Sequence, residues 1–234
     1  MAWVRLHGYT SRGKVAYVDR TGNLAIAPQF AEGGDFHDGL ARVVLDGQCY
    51  VVEEDGSRQS PPSVPSASSC GGVPDFVIQR CREGFVDKTG TVKFEFEGAR
   101  DFSEHLAGVS INGKWGFVGT DGDLVIKPQF DHVLPFLEGL AAVRQGGKWG
   151  YINPSGVFVI PPRFAQADSF SDGLAKVDGG FVNPSGSLVL SGWDTASLFV
   201  QGLAHVNLGG NNYGYIDKNG KVVFRYTASN DRWR

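Results

Sequence analysis

Apolar residues along this chain fall in short runs, and within many of them apolar and polar positions alternate. The cleanest stretch, Lys114 to Val143, reads KWGFVGTDGDLVIKPQFDHVLPFLEGLAAV, and Lys148 to Val177, KWGYINPSGVFVIPPRFAQADSFSDGLAKV, matches it closely. Each stretch holds three runs rich in β-branched and aromatic residues. They are Lys-Trp-Gly-aromatic-Val/Ile, then Leu-Val-Ile or Val-Phe-Val-Ile, then Leu-Ala-x-Val. Short runs bounded by turn residues predict strands. No stretch has the period of an amphipathic helix, and none is apolar enough to cross a bilayer as one.

The pattern recurs. Phe-x-x-Gly-Leu-Ala occurs at Phe36, Phe136, Phe170 and Phe199, and a fifth copy at Phe102 replaces the glycine with His105. Between these copies runs an aromatic-Val/Ile-x-x-x-Gly phrase: YVDRTG, FVDKTG, FVGTDG, YINPSG, FVNPSG and YIDKNG. His105, Gly139 and Gly173 are spaced by 34 residues, and the next step, to Gly202, is 29. The step from Gly39 to His105 is 66, which predicts a decayed unit in the gap, with Tyr50 to Gly56 as its remnant. A chain of this kind is a stack of one structural unit, and its function lies in a surface rather than a crevice.

Turn chemistry sets the connections. Asn153-Pro154-Ser155-Gly156, Asp121-Gly122 and Asn219-Gly220 predict tight hairpin turns. Prolines 28, 128 and 162 are expected to end their strands, because proline cannot donate to a ladder. The residues that follow, with Phe30 and Phe36, Phe130 and Phe136, and Phe164 and Phe170 each six apart, predict a compact corner of about one helical turn with both rings in the core. Gly39, Gly139, Gly173 and Gly202 are expected to be left-handed, and His105 to occupy that conformation under strain.

The fold expected is all-β: three-stranded antiparallel units of about 34 residues stacked as an open, solenoid-like array, with propeller-like closure as the alternative. Residues 1–234 read as one domain, with a Pro/Ser-rich insertion at 59–72 (Gln59 to Gly72, QSPPSVPSASSCGG) and a loose tail at 227–234. The insertion reads as a flexible loop or, alternatively, as a partner-contacting one. Composition agrees with a turn-dense β protein: 33 Gly and 16 Phe in 234 residues. The N-terminus lacks the long apolar core of a signal peptide, and the three cysteines (Cys49, Cys70, Cys81) have no Cys-x-x-Cys spacing. Both point to a cytoplasmic protein with idle thiols; a metal site from Cys70, Cys81 and a distant histidine is the sharper alternative. A net charge of −3 with scattered Lys and Arg argues against nucleic acid as the main ligand.

Lys-Trp-Gly-Phe-Val at 114–118 and Lys-Trp-Gly-Tyr-Ile at 148–152, each followed by Pro-x-Phe and Phe-x-x-Gly-Leu-Ala, resemble the WG-repeat (KWG-repeat) family of mostly bacterial proteins. The tryptophan is replaced by Val15, Glu83 and Tyr213 in other units, and the unit at Asp178-Gly179-Gly180 is shortened. The resemblance implies non-catalytic binding modules. Repeat proteins of this style beside toxin genes make an immunity-type role the concrete expectation. The Trp-Gly pair reads as packing: an indole covering the bare backbone of a glycine on a neighbouring strand.

No catalytic constellation stands out. Histidines 7, 37, 105, 132 and 205 have no metal spacing, and Gly-x-Ser-x-Gly and phosphate-loop motifs are missing. Comparing units separates scaffold from free positions. Phe36, Gly39, Phe102, Trp115, Gly116, Phe136, Gly139, Trp149, Gly150, Phe170, Gly173, Phe199 and Gly202 recur and are read as structural. Partner-binding candidates come from the varying rows: His37, Asp38, Arg42, Glu104, Glu138, Asp172, Lys176, Gln201 and His205. The acids before the corner glycine read either as turn caps or as an acidic row on one face. The expected function is a monomeric, non-enzymatic scaffold without metal or cofactor, away from nucleic acid and membrane. It binds another protein, such as a cognate toxin whose active site it occludes. A glycan or cell-wall binding module, using exposed aromatics such as Trp3, Trp193 and Trp233, is the competing expectation.

Overall fold

The structure, a computed structural model, describes residues 2–6, 14–19, 21–52, 58–59, 78–193 and 195–228; for 2–6, 46–52, 58–59 and 78–81 it describes the backbone alone. The remnant at 53–56, most of the insertion, Cys70, His7 and Trp233 lie outside the described residues.

Six small antiparallel sheets follow one another in chain order among these residues, with no helix and no sheet closed into a barrel. The first is β1 (Ala2–Leu6), β2 (Lys14–Val18) and β3 (Leu24–Phe30). The second is β4 (Glu32–His37), β5 (Leu40–Val52), β6 (Arg58–Gln59), β7 (Ile78–Asp87) and β8 (Val92–Phe96). The third is β9 (Gly98–Ala99), β10 (Leu106–Ile111), β11 (Lys114–Gly119) and β12 (Leu124–Phe130). The fourth is β13 (His132–Val133), β14 (Ala141–Gln145), β15 (Lys148–Ile152) and β16 (Phe158–Phe164). The fifth is β17 (Ala167–Ser171), β18 (Leu174–Val177), β19 (Gly180–Val182) and β20 (Leu188–Ser191). The sixth is β21 (Leu203–Gly209), β22 (Asn212–Asp217) and β23 (Val222–Thr227). They group into two compact units, Met1–Gln129 and Phe130–Arg234, each with three sheets.

The three expected strands are present in each sheet, and the corner supplies a fourth in the second to fifth. This corrects the expectation of a helical turn there. The corner is extended because its backbone finds partners on the following strand: Asp131 N–H donates to the Arg144 carbonyl (2.8 Å) and Leu134 N–H to Ala142 (2.9 Å). The sheet boundary therefore falls after Pro-x-Phe, and the Leu-Ala strand hairpins onto the next Trp-Gly strand within one sheet.

The prolines do not end their strands. β3, β12 and β16 run through Pro28, Pro128 and Pro162 to Phe30, Phe130 and Phe164. Each is an edge strand, where a missing N–H costs no ladder bond. The register jumps there: Trp149 faces Phe164 while Tyr151 faces Ile160, so β16 bulges over Gly150. This explains the glycine of Trp-Gly. A Cβ at Gly150 would lie 2.5 Å from the Ile160 carbonyl oxygen and 2.7 Å from the Pro162 nitrogen. The indole covers a different glycine, with the Trp115 ring 3.4 Å from the Cβ position of Gly98, across Ser110.

The decayed second unit is also corrected. β5 continues past its repeat phrase and pairs with β7, first from Leu40–Asp87 to Val44–Glu83, then from Cys49–Cys81 to Val52–Ile78. The extra residues lengthen one hairpin of the second sheet.

Successive sheets lock through rings. The aromatic of the Trp-Gly phrase is fully buried at Tyr17, Phe85, Phe117, Tyr151 and Phe181. In the first unit Tyr17 meets Phe36 edge-on at 5.0 Å and Phe85 meets Phe102 at 4.7 Å. In the second unit Tyr151 meets Phe170 and Phe181 meets Phe199, both at 4.9 Å. Tyr151 Oη also donates to the Asp168 carbonyl (2.8 Å), and Tyr17 Oη to Gly34 (3.2 Å). Burial pushes the Tyr17 hydroxyl up to about 12, although Arg42 pulls it back.

The turn after the central strand is capped by its own first residue in every sheet but the third, where that residue is Gly119 and Asp121 accepts from Asp123 N–H instead. Asn153 Oδ1 accepts from Ser155 and Val157 N–H, and Asp217 Oδ1 from Asn219 and Lys221 N–H. At Asp87 the Thr89 hydroxyl donates at 2.5 Å, the Thr89 and Thr91 N–H groups add bonds, and Lys93 Nζ lies 3.2 Å away. The hydroxyl bond is the main reason the carboxyl is held at about 2.

Two predictions follow from these contacts. Gly150→Ala is expected to destabilise by about 1–3 kcal/mol, as overpacking against backbone does, read from the urea midpoint. The Asp87 carboxyl is expected to titrate near 2 by carbon-detected NMR. Because the folded value is depressed, its contribution to stability is present above the ordinary carboxylate pKa and is lost as pH falls towards the folded value. Thr89→Val should raise that pKa towards the ordinary range and weaken the acid dependence.

Candidate functional site

Each corner ends in a two-residue hairpin. Leu137 N–H donates to the Leu140 carbonyl (3.0 Å) and Leu140 N–H to Leu137 (3.1 Å). Both central residues are left-handed, Glu138 at φ 55° and Gly139 at φ 76°, which is the type I′ geometry. The same pair of positive φ values occurs at Asp38–Gly39, Glu104–His105, Asp172–Gly173 and Gln201–Gly202. The left-handed corner glycine is thus as expected, and His105 takes its place at φ 66°.

The acids of these tips tie one corner to the next. Glu138 Oε2 accepts from Gly173 N–H (2.9 Å), and Asp172 Oδ2 accepts from Gly202 N–H. Asp172 Oδ1 also takes Lys218 Nζ at 2.8 Å. Lys218 first, and the Gly202 amide after it, hold the Asp172 carboxyl below the usual range. In the first unit Asp38 Oδ2 lies 3.0 Å from His105 Nδ1, the residue that replaces the glycine. The acidic row is therefore a row of structural staples.

The residue before each tip pair is His37, Ser103, Leu137, Ser171 or Val200; His37, Leu137 and Val200 are exposed, whereas Ser171 Oγ donates to the Phe199 carbonyl (2.7 Å). Leu137 is 40% exposed and Val200 64%. In the second unit the Asp172–Gly173 tip lines a cleft of about 530 Å³ together with Leu174, Val189, Leu190, Lys218 and Asn219.

The other sequence candidates divide. Glu104 and Gln201 sit exposed on their tips. Arg42 is ion-paired with Glu83 (3.1 Å) and Asp101 (3.2 Å). Burial lowers its pKa, and those carboxylates more than offset that. Lys176 lines a second groove, about 600 Å³, with Trp149, Gln166, Asp168 and Asp178. The row between Ala and Val does not uniformly face solvent, since Gly108 and Ala142 are buried.

His205 joins an aromatic face on the sixth sheet. Its ring stacks on Tyr213 (5.6 Å, 12°), and its Nε2 lies 2.9 Å from Tyr226 Oη. Tyr215 and Phe224 complete the face, 37% and 57% exposed. These rings, with Leu137, Val200 and Lys218, were not singled out in sequence. Trp193, a candidate for glycan stacking, packs instead against the core.

The electrostatics favour structure over acid catalysis. Among the described residues, the carboxyls with a resolved shift, Asp19, Asp87, Asp172 and Asp178, all move down. A general acid needs the opposite shift. No group of three His, Cys, Asp or Glu there is arranged to hold a metal.

Fold and site together define a β-repeat scaffold whose recurring polar side chains bind its own backbone. The family described as WG containing repeat matches residues 16–49, 84–115, 115–149, 149–178 and 213–225, and the chain belongs to that family. None of the curated proteins matches it in sequence. Among solved structures it is similar to the computationally designed Ika8 protein, at 10% identity over 92% of this chain and 68% of that one, with a TM-score of 0.45. It is similar to BamB from Moraxella catarrhalis at 9% identity over 97% and 90%, with a TM-score of 0.44. The WD40 beta propeller domain of Doa1 is similar at 11% identity over 86% and 73%, with a TM-score of 0.36.

Glu138→Ala is expected to lower the melting temperature and speed amide exchange at Gly173. Glu138→Gln should lose much less, because its amide oxygen still accepts the Gly173 N–H.

Proposed function

We propose that this WG-repeat chain is a non-catalytic scaffold that binds another protein through the row of corner tips in residues 130–234. The observation that carries this reading is the tying of tip to tip through Glu138–Gly173 and Asp172–Gly202. That row is rigid where it is constant and exposed where it varies. Rigid tips with variable residues are how loop-based binding surfaces are built. Leu137 and Val200 are the apolar anchors, and Glu138, Asp172, Gln201 and Lys218 form the polar rim.

The concrete form of this reading is an immunity-type protein that neutralises a toxin by covering its active site. Apolar anchors edged by carboxylates suit a catalytic cleft lined with basic groups. The test is co-expression with any toxin encoded beside it in its host, scored by growth rescue and by a complex of defined stoichiometry in size-exclusion chromatography. Leu137→Asp with Val200→Asp should weaken that complex by about tenfold or more, on the order of 1.4 kcal/mol, with the fold unchanged by circular dichroism. A complex indifferent to this double variant would move the interface elsewhere. Absence of any complex or rescue would remove the immunity reading.

A further inference from the structure

Each sheet ends on an outer strand, and every outer strand but the last is blunted. β3, β12 and β16 carry Pro28, Pro128 and Pro162, β8 carries Lys93 and Glu95, and β20 has only four residues. Proline, charge and shortness keep a sheet edge from pairing with another chain. β23 reads VVFRYT, six residues with no proline and a single charge, Arg225. Among the described residues it pairs with β22 alone, and Val223, Phe224 and Tyr226 on it are exposed.

The backbone says what fits this edge. Ala228 N–H donates to the Asn211 carbonyl (2.8 Å). Hydrogen-bonded pairs alternate along an antiparallel ladder, so Tyr226 and Phe224 direct their backbone groups at β22, and Val223, Arg225 and Thr227 turn theirs to the edge. Another extended backbone is what meets such an alternation of N–H and C=O. The strand is also self-complementary. In an antiparallel pair centred on Phe224, that residue faces Phe224 of the second copy, Val222 faces Tyr226, and Arg225 faces Val223. Phe224 then lies at a non-hydrogen-bonded pair, where Cα atoms are about 4.5 Å apart and side chains come closest. Its ring stands 6.3 Å from Tyr215, and Tyr226 stands 5.7 Å from Tyr213, so the second copy continues an existing aromatic row. A pair centred on Arg225 would set two guanidinium groups opposite each other, which is unfavourable.

We propose that β23 is a dimerisation edge, on which a second copy of this chain pairs antiparallel through its own β23, centred on Phe224. The two sixth sheets join into one continuous sheet with a shared aromatic face. A two-fold pair of this kind is closed, so assembly stops at two copies. β23 lies on the opposite edge of its sheet from β21, into which the Gln201–Gly202 tip leads, so pairing there stands independently of the role of the tips.

The experiment uses the full chain, in sedimentation equilibrium from micromolar to millimolar concentration and in NMR hydrogen exchange. The chain is expected to dimerise, and the Val223 and Arg225 amides to gain protection as it does. Phe224→Lys should weaken the dimer several-fold, because it sets two ammonium groups on the axis. Val223→Glu should tighten it several-fold by facing a carboxylate to Arg225, and Val223→Lys should loosen it. Both positions are exposed, so the far-ultraviolet spectrum should stay unchanged. A chain that stays monomeric at millimolar concentration would overturn the proposal. A dimer indifferent to all three substitutions would overturn it too, and would place the interface elsewhere. Protection of Val223 and Arg225 that does not depend on concentration would count against it equally, and would assign the edge to another segment of the same chain.

Discussion

A three- or four-stranded sheet with side chains on both faces has no interior of its own. Here both faces of the central strand are apolar, as at β15, where Gly150, Tyr151 and Ile152 are all buried. Such a sheet is stable only when a neighbour covers each face, which is the condition that makes repeat proteins quasi-one-dimensional. Within each unit, two junctions meet it with a ring pair: the aromatic of the Trp-Gly phrase beneath the corner phenylalanine of the next sheet. Edge-on ring pairs contribute about 0.5–1.5 kcal/mol beyond their buried area, so each junction is modest and the array holds by repetition. The other features serve this contact. The bulge at proline and the glycine beneath it let the outer strand close over the sheet. The type I′ tip turns the chain back so that the corner ring enters the core.

The ring pair also explains how much of the fold was legible in sequence. Recurrence of Phe-x-x-Gly-Leu-Ala identifies the unit, and β-branched runs with Asp-Gly and Asn-Gly turns identify its strands. What the sequence misplaced were features set by partners rather than by local preference. Proline reads as a stop on its own, yet Pro128 and Pro162 sit on edge strands, where sheet topology decides whether an N–H is needed. The corner from Phe130 to Phe136 has no strand-like pattern, and it becomes extended because β14 offers it unpaired carbonyl groups. The doubled spacing between Gly39 and His105 looked like a lost unit because spacing alone does not distinguish a missing repeat from a lengthened hairpin.

The candidate site was legible in the same measure. The acids before the corner glycine were visible as a row, but their destination was not, since a carboxylate reaching the backbone of the next repeat leaves no trace in a single unit. Arg42 was read as a surface position from its variability. It varies because its ion partners, Glu83 and Asp101, are themselves peculiar to that junction. Variation between repeats therefore has two sources, exposure to solvent and local compensation between neighbours. Exposed tip positions such as Leu137 and Val200 belong to the first.

This division bears on what chemistry the surface can perform. The carboxyls with lowered pKa values are acceptors for fixed N–H, hydroxyl or ammonium groups, so they stay ionised and hydrogen-bonded at neutral pH. A proton-transferring group must exchange partners during a reaction, and these are held by bonds that also hold the turns and the corners. Removing one from its structural role would loosen the junction it secures. Leu137 and Val200 can be altered without disturbing the staples behind them, whereas acid–base chemistry in the same row would compete with the bonds that keep the row in place.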